Sequence, residues 1–420
     1  MNRHGRGRPS RVTVRDVAAR AGVSVGTVSH VITGSRRVAP ETRRRVQESM
    51  AALGYRPNRV ARSLILQRTR TLAMVIPDVA NPFFGDLVRG VEEVARQRGY
   101  SVLFGNSDND PEQEARYLEE FLERRVDGLL LVVAAGRGVR SPEPSGDRPD
   151  GEAEEGATRG RLAELAAELP VVALDRLPAT WDQDAVLVDN EGGMELVVRH
   201  LVDLGHRRLA FVGGDPTLTT GRDRRRGFLR ALERRGLAPA WVSDGAFSLE
   251  SGRAQMDALL ASSAPPPTAV VAGNDLLALG ALLAARERGL RVPHDLSVAG
   301  FDDIVYARLA DPPLTTVRQP AREMGATAAH LVFRRIDGDE SPGQRIVLRP
   351  ELVVRASTAP LGRPEERRPT GQASGGGRAS QPGGGSASQP GGGSASPSGG
   401  GRASRPGEST TTTPTPSGGD

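Results

Sequence analysis

The residues able to do chemistry in this chain are polar side chains that stand just past the ends of short apolar runs: Asp78, Asp175, Asp189 with Asn190, Asp215, Asn274 with Asp275, and Asp302 with Asp303. In open α/β sheets ligands bind beyond the carboxyl ends of the strands, so side chains at such positions can converge on one cleft. A ring of carboxylate and amide acceptors suits a ligand rich in hydroxyl donors. Arg224, at the start of a helical stretch, supplies a cation, and Phe83, Phe84 and Phe247 offer apolar faces on which a sugar or a base stacks. Each acid has a structural alternative as a helix cap, and that alternative stays open for Asp189, Asp215 and Asp275. Paired carboxylates lining a cleft also suit a glycosidase, whose two acids sit at a defined separation that sequence cannot give.

Composition removes several other chemistries. The 420 residues include no Cys, which excludes disulfides, thiolate nucleophiles and Cys-ligated metals. They include no Lys either: all 56 basic residues are Arg, so Schiff-base catalysis and the P-loop lysine are gone. The six His show no metal-binding spacing, and the pair His200 and His206 reads as a helix end and its cap. Gly22-Val23-Ser24-Val25-Gly26 has the spacing of a nucleophile elbow, but that motif needs a strand before the Ser, and here a helical stretch precedes it. Binding without catalysis, cofactor or metal is the expected role. No apolar run approaches the ~20 residues of a membrane span, and Met1 to Pro9 is Arg-rich without the apolar stretch of a secretory signal. A cytoplasmic protein with no membrane partner is expected.

The net charge of +5 conceals an asymmetry. Residues 1–70 hold 16 Arg against three acids, Asp16, Glu41 and Glu48, a balance of +13; the other 350 residues hold 40 Arg against 48 acids. Basic charge concentrated in a small terminal segment is the footprint of a polyanion partner, because each neutralised phosphate releases counterions. Nucleic acid is the first expectation, with a plain basic arm as the alternative.

The elements that must position these residues are legible as three regions. In the first, Thr13-Val14-Arg15-Asp16 reads as a capping box opening a helix on which Val14, Val17, Ala18 and Ala21 share a face. Gly22 supplies a tight turn, and Ser24 caps a second helix, Val25 to Ile32, with Val28, Val31 and Ile32 apolar and Val25, Gly26, Ser29 and His30 facing outward. Two short helices joined at a Gly suggest helix-turn-helix. A third helix starts at Pro40, runs through Val46, Met50 and Leu53, and stops at Gly54. From Thr71 onward, short branched apolar runs alternate with helical stretches: 72–76, 101–104, 128–133, 171–174, 185–188, 209–212, 268–271 and 296–299. Such alternation means parallel sheets in an α/β fold, and this many strands in 71–360 suggests two sheets. The last region, 361–420, lacks large apolar residues after Leu361 and carries four eight-residue units in 375–406, so a coil with no core is expected there.

With those elements in place a resemblance emerges. Val14-Arg15-Asp16-Val17-Ala18, Ala21-Gly22-Val23-Ser24, Thr27-Val28-Ser29-His30-Val31, Gly54-Tyr55-Arg56-Pro57-Asn58 and Val60-Ala61-Arg62-Ser63-Leu64 resemble the head and hinge of the LacI/GalR family of bacterial repressors, and the likeness continues through Asn81-Pro82-Phe83-Phe84 to about residue 358. It implies a helix-turn-helix head over 12–57, a hinge helix and linker over 58–70, and a core over 71–360. That core is two Rossmann-like lobes joined by three crossovers, as in periplasmic sugar-binding proteins. It implies DNA contact through Thr13, Ser24, Val25, Gly26, Thr27, Ser29, His30 and Tyr55 of the head and Asn58, Arg62 and Leu64 of the hinge. Val25 and Gly26 lie at base edges, two hinges pair on the DNA, and Leu64 enters the minor groove. Arg68 and Arg70 become phosphate contacts with Arg62. Effector contact falls to Phe83, Phe84, Asp175, Thr220, Arg224, Phe247, Asn274 and Asp302.

The expectation is therefore a homodimeric, nucleoid-associated transcription regulator. It binds a roughly palindromic operator and answers to a small-molecule effector, a sugar first and a purine or nucleoside as the alternative. A repressor is the primary reading and an activator or dual regulator the second. A solute-binding protein shares the core fold but would carry an export signal and no basic head. The basic arm 1–11 is expected to be disordered, and two departures from the family pattern stand out: the Pro- and acid-rich insertion 136–160, whose composition argues for disorder, and the tail.

Overall fold

A computed structural model describes residues 12–34, 36–56, 68–134, 164–178, 181–263 and 265–362. The expectations for the arm 1–11, for Asn58, Arg62 and Leu64 of the hinge, for the insertion 136–160 and for the tail from 363 lie outside the described residues.

The head is three helices, α1 (Val14–Ala21), α2 (Val25–Thr33) and α3 (Pro40–Ala52). The capping box at Thr13 closes: Asp16 Oδ2 accepts from the Thr13 N–H and from its hydroxyl, both at 2.8 Å, and these bonds hold the Asp16 carboxyl below its ordinary range. Gly22 ends α1 at φ 64°, a conformation that would strain most side chains. Ser24 Oγ then caps α2 by accepting from Thr27 N at 3.1 Å. The three helices bury Val17, Ala18, Ala21, Val28 and Val46 among one another, with Tyr55 partly buried against them. So small a core suffices because α1 and α2 are capped locally, α3 opens on Pro40, and the apolar positions recur at helical spacing.

The rest of the described chain forms two six-stranded sheets, ordered β11-β5-β4-β3-β1-β2 and β12-β10-β9-β8-β6-β7. The first contains β1 (Thr71–Ile76), β2 (Ser101–Asn106), β3 (Gly128–Leu131), β4 (Val171–Leu174), β5 (Ala185–Val188) and β11 (Arg345–Leu348). The second contains β6 (Leu209–Val212), β7 (Trp241–Ser243), β8 (Ala269–Ala272), β9 (Ser297–Asp302), β10 (Thr315–Arg318) and β12 (Glu351–Val353). Pairing is parallel everywhere except between β10 and β12. The chain passes between sheets three times, after β5, after β10 and after β11, which gives the expected crossovers.

Helices cover both faces of each sheet, which is why the central strands are apolar without alternation. In the first lobe α4 (Pro82–Gln97) and α11 (Ala321–Ile336) cover one face and α5 (Pro111–Glu123) the other. In the second, α6 (Asn190–Asp203) and α7 (Thr219–Glu233) lie opposite α8 (Leu249–Ala261) and α9 (Asp275–Glu287), and the short α10 (Val305–Leu309) follows β9. The α6–α7 seam is edged by a ladder in which Glu191 takes Arg226 and Arg230 and Glu195 takes Arg234 and Arg235 at 2.6–2.8 Å.

All eight expected strands are present, with ends shifted by up to three residues, and β7, β10, β11 and β12 are additional. β7, β11 and β12 are short edge strands of largely half-exposed residues, and β10, one strand in from the edge, is buried but opens on Thr315 and Thr316, so none of the four presents a continuous apolar run to read. As expected, His200 lies in the last turn of α6 and the His206 N–H closes that helix end on Leu201 O at 3.0 Å, while both rings are engaged elsewhere. His206 sits buried, Nδ1 against Thr268 Oγ1 and Nε2 against Ala359 O, both at 3.0 Å, and His200 Nε2 meets Thr358 Oγ1 at 2.9 Å. Both rings pin residues 358–359 to the second lobe.

Candidate functional site

The cleft between the lobes is built from loops at the carboxyl ends of parallel strands. Past β1, Asn81 caps α4, its Oδ1 accepting from Phe83 N at 3.1 Å. That turn sets Phe83 and Phe84 edge to face, ring centroids 5.1 Å apart, at the cleft wall. Past β4 come Asp175, in left-handed backbone at φ 59°, and Arg176. Arg176 Nη1 donates to Asn109 Oδ1 at 3.0 Å and to Val133 O at 3.3 Å. The second lobe answers with Thr220 and Arg224 from α7, with Phe247, with Asn274 capping α9 through its Oδ1, and with Asp302 at the end of β9.

Arg224 organises this half of the site. It is 3% exposed, its Nε donates to Asn190 Oδ1 at 2.8 Å, and its Nη1 donates to Gly273 O at 2.8 Å and Asp302 Oδ1 at 3.2 Å. Its guanidinium lies 3.9 Å from the centroid of the Phe301 ring and 5.8 Å from that of Phe247. Asp302 also accepts from Gln319 Nε2 at 2.7 Å. Burial pushes the Asp302 carboxyl up to about 6 against the opposing pull of Arg224, and burial raises Asp175 as well. Burial likewise lowers Arg176, against the pull of Asp175.

One cavity is lined by all eight residues expected to touch an effector, Phe83, Phe84, Asp175, Thr220, Arg224, Phe247, Asn274 and Asp302. Asn81, Arg176 and Gln319 line it too and were not anticipated. Asn81 and Arg176 adjoin anticipated residues, so their motifs held a signal; Gln319 lies on the crossover after β10, where no local pattern marks it. Three buried atoms of these residues have no hydrogen-bond partner: Asp175 Oδ1, Arg176 Nε and Gln319 Oε1. The nearest acid to Arg176 Nε is Asp175 Oδ2, at 3.8 Å. Buried polar atoms left unpaired are costly, so three on one cavity mark places that a ligand's hydroxyls or amides would fill.

The remaining acids serve the scaffold. Asp78 Oδ1 accepts from Ala80 N, Asp189 caps α6, and Asp215 Oδ1 takes Thr217 N and Oγ1. Asp275 is fully buried, accepting from Ile304 N at 2.8 Å and Thr316 Oγ1 at 2.5 Å, with burial and the neighbouring Asp302 raising it well above the usual carboxyl range. Asp303 is held between Arg318 at 2.8 Å and Arg355 at 2.5 Å. The cap alternative is therefore realised at Asp189, while Asp215 and Asp275 are engaged in other ways.

In the head, Val25 and Gly26 are exposed at the start of α2, and Ser29 and His30 are half-buried one turn on. Ser24 and Thr27 bond each other, Oγ to Oγ1 at 3.0 Å, Thr13 is engaged with Asp16, and Tyr55 packs on the helical core. The reading of Arg68 as a phosphate contact meets a competing side-chain arrangement, whereas the bond at Arg70 is made by its backbone N–H. Arg68 Nη2 donates to Ile336 O at 2.6 Å, and Arg70 N donates to Asp127 Oδ2 at 2.9 Å.

A further acid behind the cleft escaped notice in the sequence. Glu114 on α5 is buried, its Oε2 accepts from Ala134 N at 2.6 Å, its Oε1 has no partner, and burial pushes it up to about 7. An acid raised in the folded state binds more protons than the unfolded chain, so stability falls as pH rises from the ordinary carboxyl value toward 7. Glu114→Gln, which mimics the protonated form, is expected to flatten that slope and to stabilise the protein at pH 8 by roughly 1–3 kcal/mol relative to the parent. Melting curves from pH 5 to 8 check this: equal slopes for both proteins would place the Glu114 proton elsewhere.

Among the described residues no group of three or more His, Asp or Glu is placed to hold a metal ion, and no helix is long and apolar enough to cross a membrane. Comparison with known proteins agrees with both parts of the architecture. Residues 13–58 match the bacterial regulatory proteins of the lacI family, residues 69–143 the periplasmic binding proteins and sugar binding domain of the LacI family, and residues 198–358 a periplasmic binding protein-like domain. The HTH-type transcriptional regulator DegA of Bacillus subtilis is 38% identical over 354 residues, covering 84% of this chain and 99% of that protein. The HTH-type transcriptional repressor PurR of Mannheimia succiniciproducens is 37% identical over 347 residues, 82% of this chain and 98% of the relative. Among solved structures, a Lac repressor dimer bound to operator and the anti-inducer ONPF has a TM-score of 0.71 at 31% identity, covering 83% of this chain and 100% of that one. A CelR–cellobiose complex has a TM-score of 0.59 at 34% identity with the same coverage. Relatives across nearly their whole length are transcriptional regulators, and a capped helix-turn-helix head followed by two parallel-sheet lobes is the architecture they share: this chain belongs to the LacI family of bacterial regulatory proteins and is a DNA-binding transcription regulator.

Proposed function

We propose that the protein is a cytoplasmic, homodimeric repressor acting at the nucleoid, whose affinity for a palindromic operator is set by a neutral sugar bound between its lobes. The observation that carries the ligand class is the set of three unpartnered buried atoms on one cavity, two acceptors (Asp175 Oδ1, Gln319 Oε1) and one donor (Arg176 Nε). Two free acceptors call for hydroxyl or N–H donors and the free donor calls for an acceptor, a mixture that a ligand rich in hydroxyls supplies. The structures of a CelR–cellobiose complex and of a LacI family regulator from Enterococcus faecium with bound ribose support the same class. Closure of the lobes around such a ligand favours one arrangement of the core, and DNA affinity follows the population of that arrangement. Val25 and Gly26 present the exposed start of α2 to base edges, with Ser29 and His30 behind them.

Thermal shift of the full chain against D-ribose, D-glucose, cellobiose, glucose 6-phosphate, adenosine and hypoxanthine tests this. A neutral sugar is expected to raise the melting point, by the equivalent of about 2.7 kcal/mol at a hundredfold excess over its Kd. A shift with the purine compounds alone would replace the sugar class by a purine one. No shift with any compound, in protein that still binds DNA, would overturn the cleft as effector site.

A further inference from the structure

Two helices of the first lobe join the cleft to the place where the core receives the chain from the head. α4 opens at the cleft with Asn81, Phe83 and Phe84 and ends at Arg98; α11 follows directly on Gln319 and ends at Asp337. Their far ends meet: Arg98 Nη1 donates to Asp337 Oδ2 at 2.8 Å and its guanidinium lies over Phe333, 5.2 Å from the ring centroid. Their crossing has no slack. A Cβ on Gly90 would lie 2.0 Å from Arg322 O, and one on Gly325 would lie 2.0 Å from Leu87 O. Helices in such contact shift as bodies, since packed interiors do not deform continuously. With 16 residues, α11 carries any displacement of Gln319 across about 24 Å.

At that far end residues 68–70 are fastened twice. Arg68 Nη2 donates to Ile336 O at 2.6 Å, and Nη1 lies 3.7 Å from Asp337 Oδ1. Asp127, just before β3, accepts from Thr69 N, Thr69 Oγ1 and Arg70 N at 2.7–2.9 Å. One anchor belongs to the sheet and the other to α11, the only described helix of the first lobe that the chain enters directly from a strand of the second. Movement of α11 against the sheet therefore turns residues 68–70, where the route to the head begins.

We propose that the α4–α11 pair transmits the state of the cleft to the DNA-binding head, and that Asp337, held between Arg68 and Arg98, is the positioning residue at its output end. The proposal rests on the reading above, in which a ligand between the lobes governs DNA affinity. It assigns Gln319 the input end, because its Nε2 is bound to Asp302 of the second lobe while its Oε1 is open to a ligand.

The test uses the full chain and a duplex that the parent protein selects from randomised palindromes, with a scrambled duplex as control. Asp337→Ala is expected to weaken binding of the selected duplex about three- to tenfold while the melting temperature stays unchanged. Loss of an acid by itself raises affinity for both duplexes, so a loss confined to the selected duplex reports position and not charge. Asp337→Asn, which keeps one acceptor, is expected to fall between. In saturating D-ribose, D-glucose or cellobiose, the sugar that shifts the melting point of the parent is expected to shift the variant equally while its effect on duplex affinity shrinks. Selected-duplex affinity within twofold of the parent, or an equal loss on both duplexes, would overturn the proposal. A sugar screen negative for parent and variant alike would defeat the cleft reading alone, and the ligand-free duplex comparison would still decide the role of Asp337.

Discussion

Arg224→Ala is expected to destabilise the two-lobed core by about 3–5 kcal/mol, the cost of breaking a buried ion pair from one side. The guanidinium is 3% exposed and satisfies Asn190 Oδ1, Gly273 O and Asp302 Oδ1 together. Its removal leaves Asp302 buried near Asp175 and Asp275 with Gln319 as its remaining side-chain donor. The melting temperature of the core should drop by roughly 10 °C, and response to any cleft ligand should vanish. Adding Asp302→Asn separates the two effects. The double variant is expected to recover part of the stability, because the uncompensated charge is gone, and none of the ligand response. A single variant that melts within 2 °C of the parent in calorimetry would show that solvent enters the site and relieves Asp302.

Gly325→Val is expected to cost about 3 kcal/mol, at the upper end of what overpacking exacts. The first added atom would lie 2.0 Å from Leu87 O, with Leu87 C at 3.0 Å and Val91 N at 3.1 Å, all backbone atoms that no rotamer change can clear. α11 has to lift from α4, opening the cluster in which Leu87, Val91, Met324 and Ala328 are buried together. Gly325→Ala gives the sharper sign test. In an exposed helix Gly to Ala stabilises by about 1 kcal/mol; here the same change should destabilise, and urea unfolding of the full chain reads the sign. A stabilising alanine would mean that the helices are not in backbone contact, which would also remove the mechanical basis assigned to the pair.

Much of this molecule is written locally. Thr13, Asp16, Gly22 and Ser24 mark the ends of α1 and α2 because each acts on backbone groups within five residues. Central strands such as β3 and β8 are legible because burial on both faces demands unbroken apolar runs. The edge strands β7 and β12 are not, since a three-residue segment takes its register from the neighbour it pairs with and not from its own side chains.

The same division runs through the cleft. That acids past strand ends gather at one place follows from the direction of parallel strands, and sequence alone conveys it. Which of them stays open to a ligand depends on partners far along the chain. Asp275 is closed off by Thr316, 41 residues on, and Asp303 by Arg355, 52 residues on, while Asp175 keeps an unpaired oxygen because nothing reaches it. Gln319 enters the site only because a crossover carries it there, and its amide is held by Asp302, 17 residues before it. The sequence by itself determined a basic capped head, two parallel-sheet lobes and the residues that border the cleft, since each is set by interactions within a turn or a strand. Tertiary structure alone decided which polar atoms remain unpaired in the cleft and which helices tie it to the chain at residues 68–70, because both are settled by contacts between segments distant in sequence.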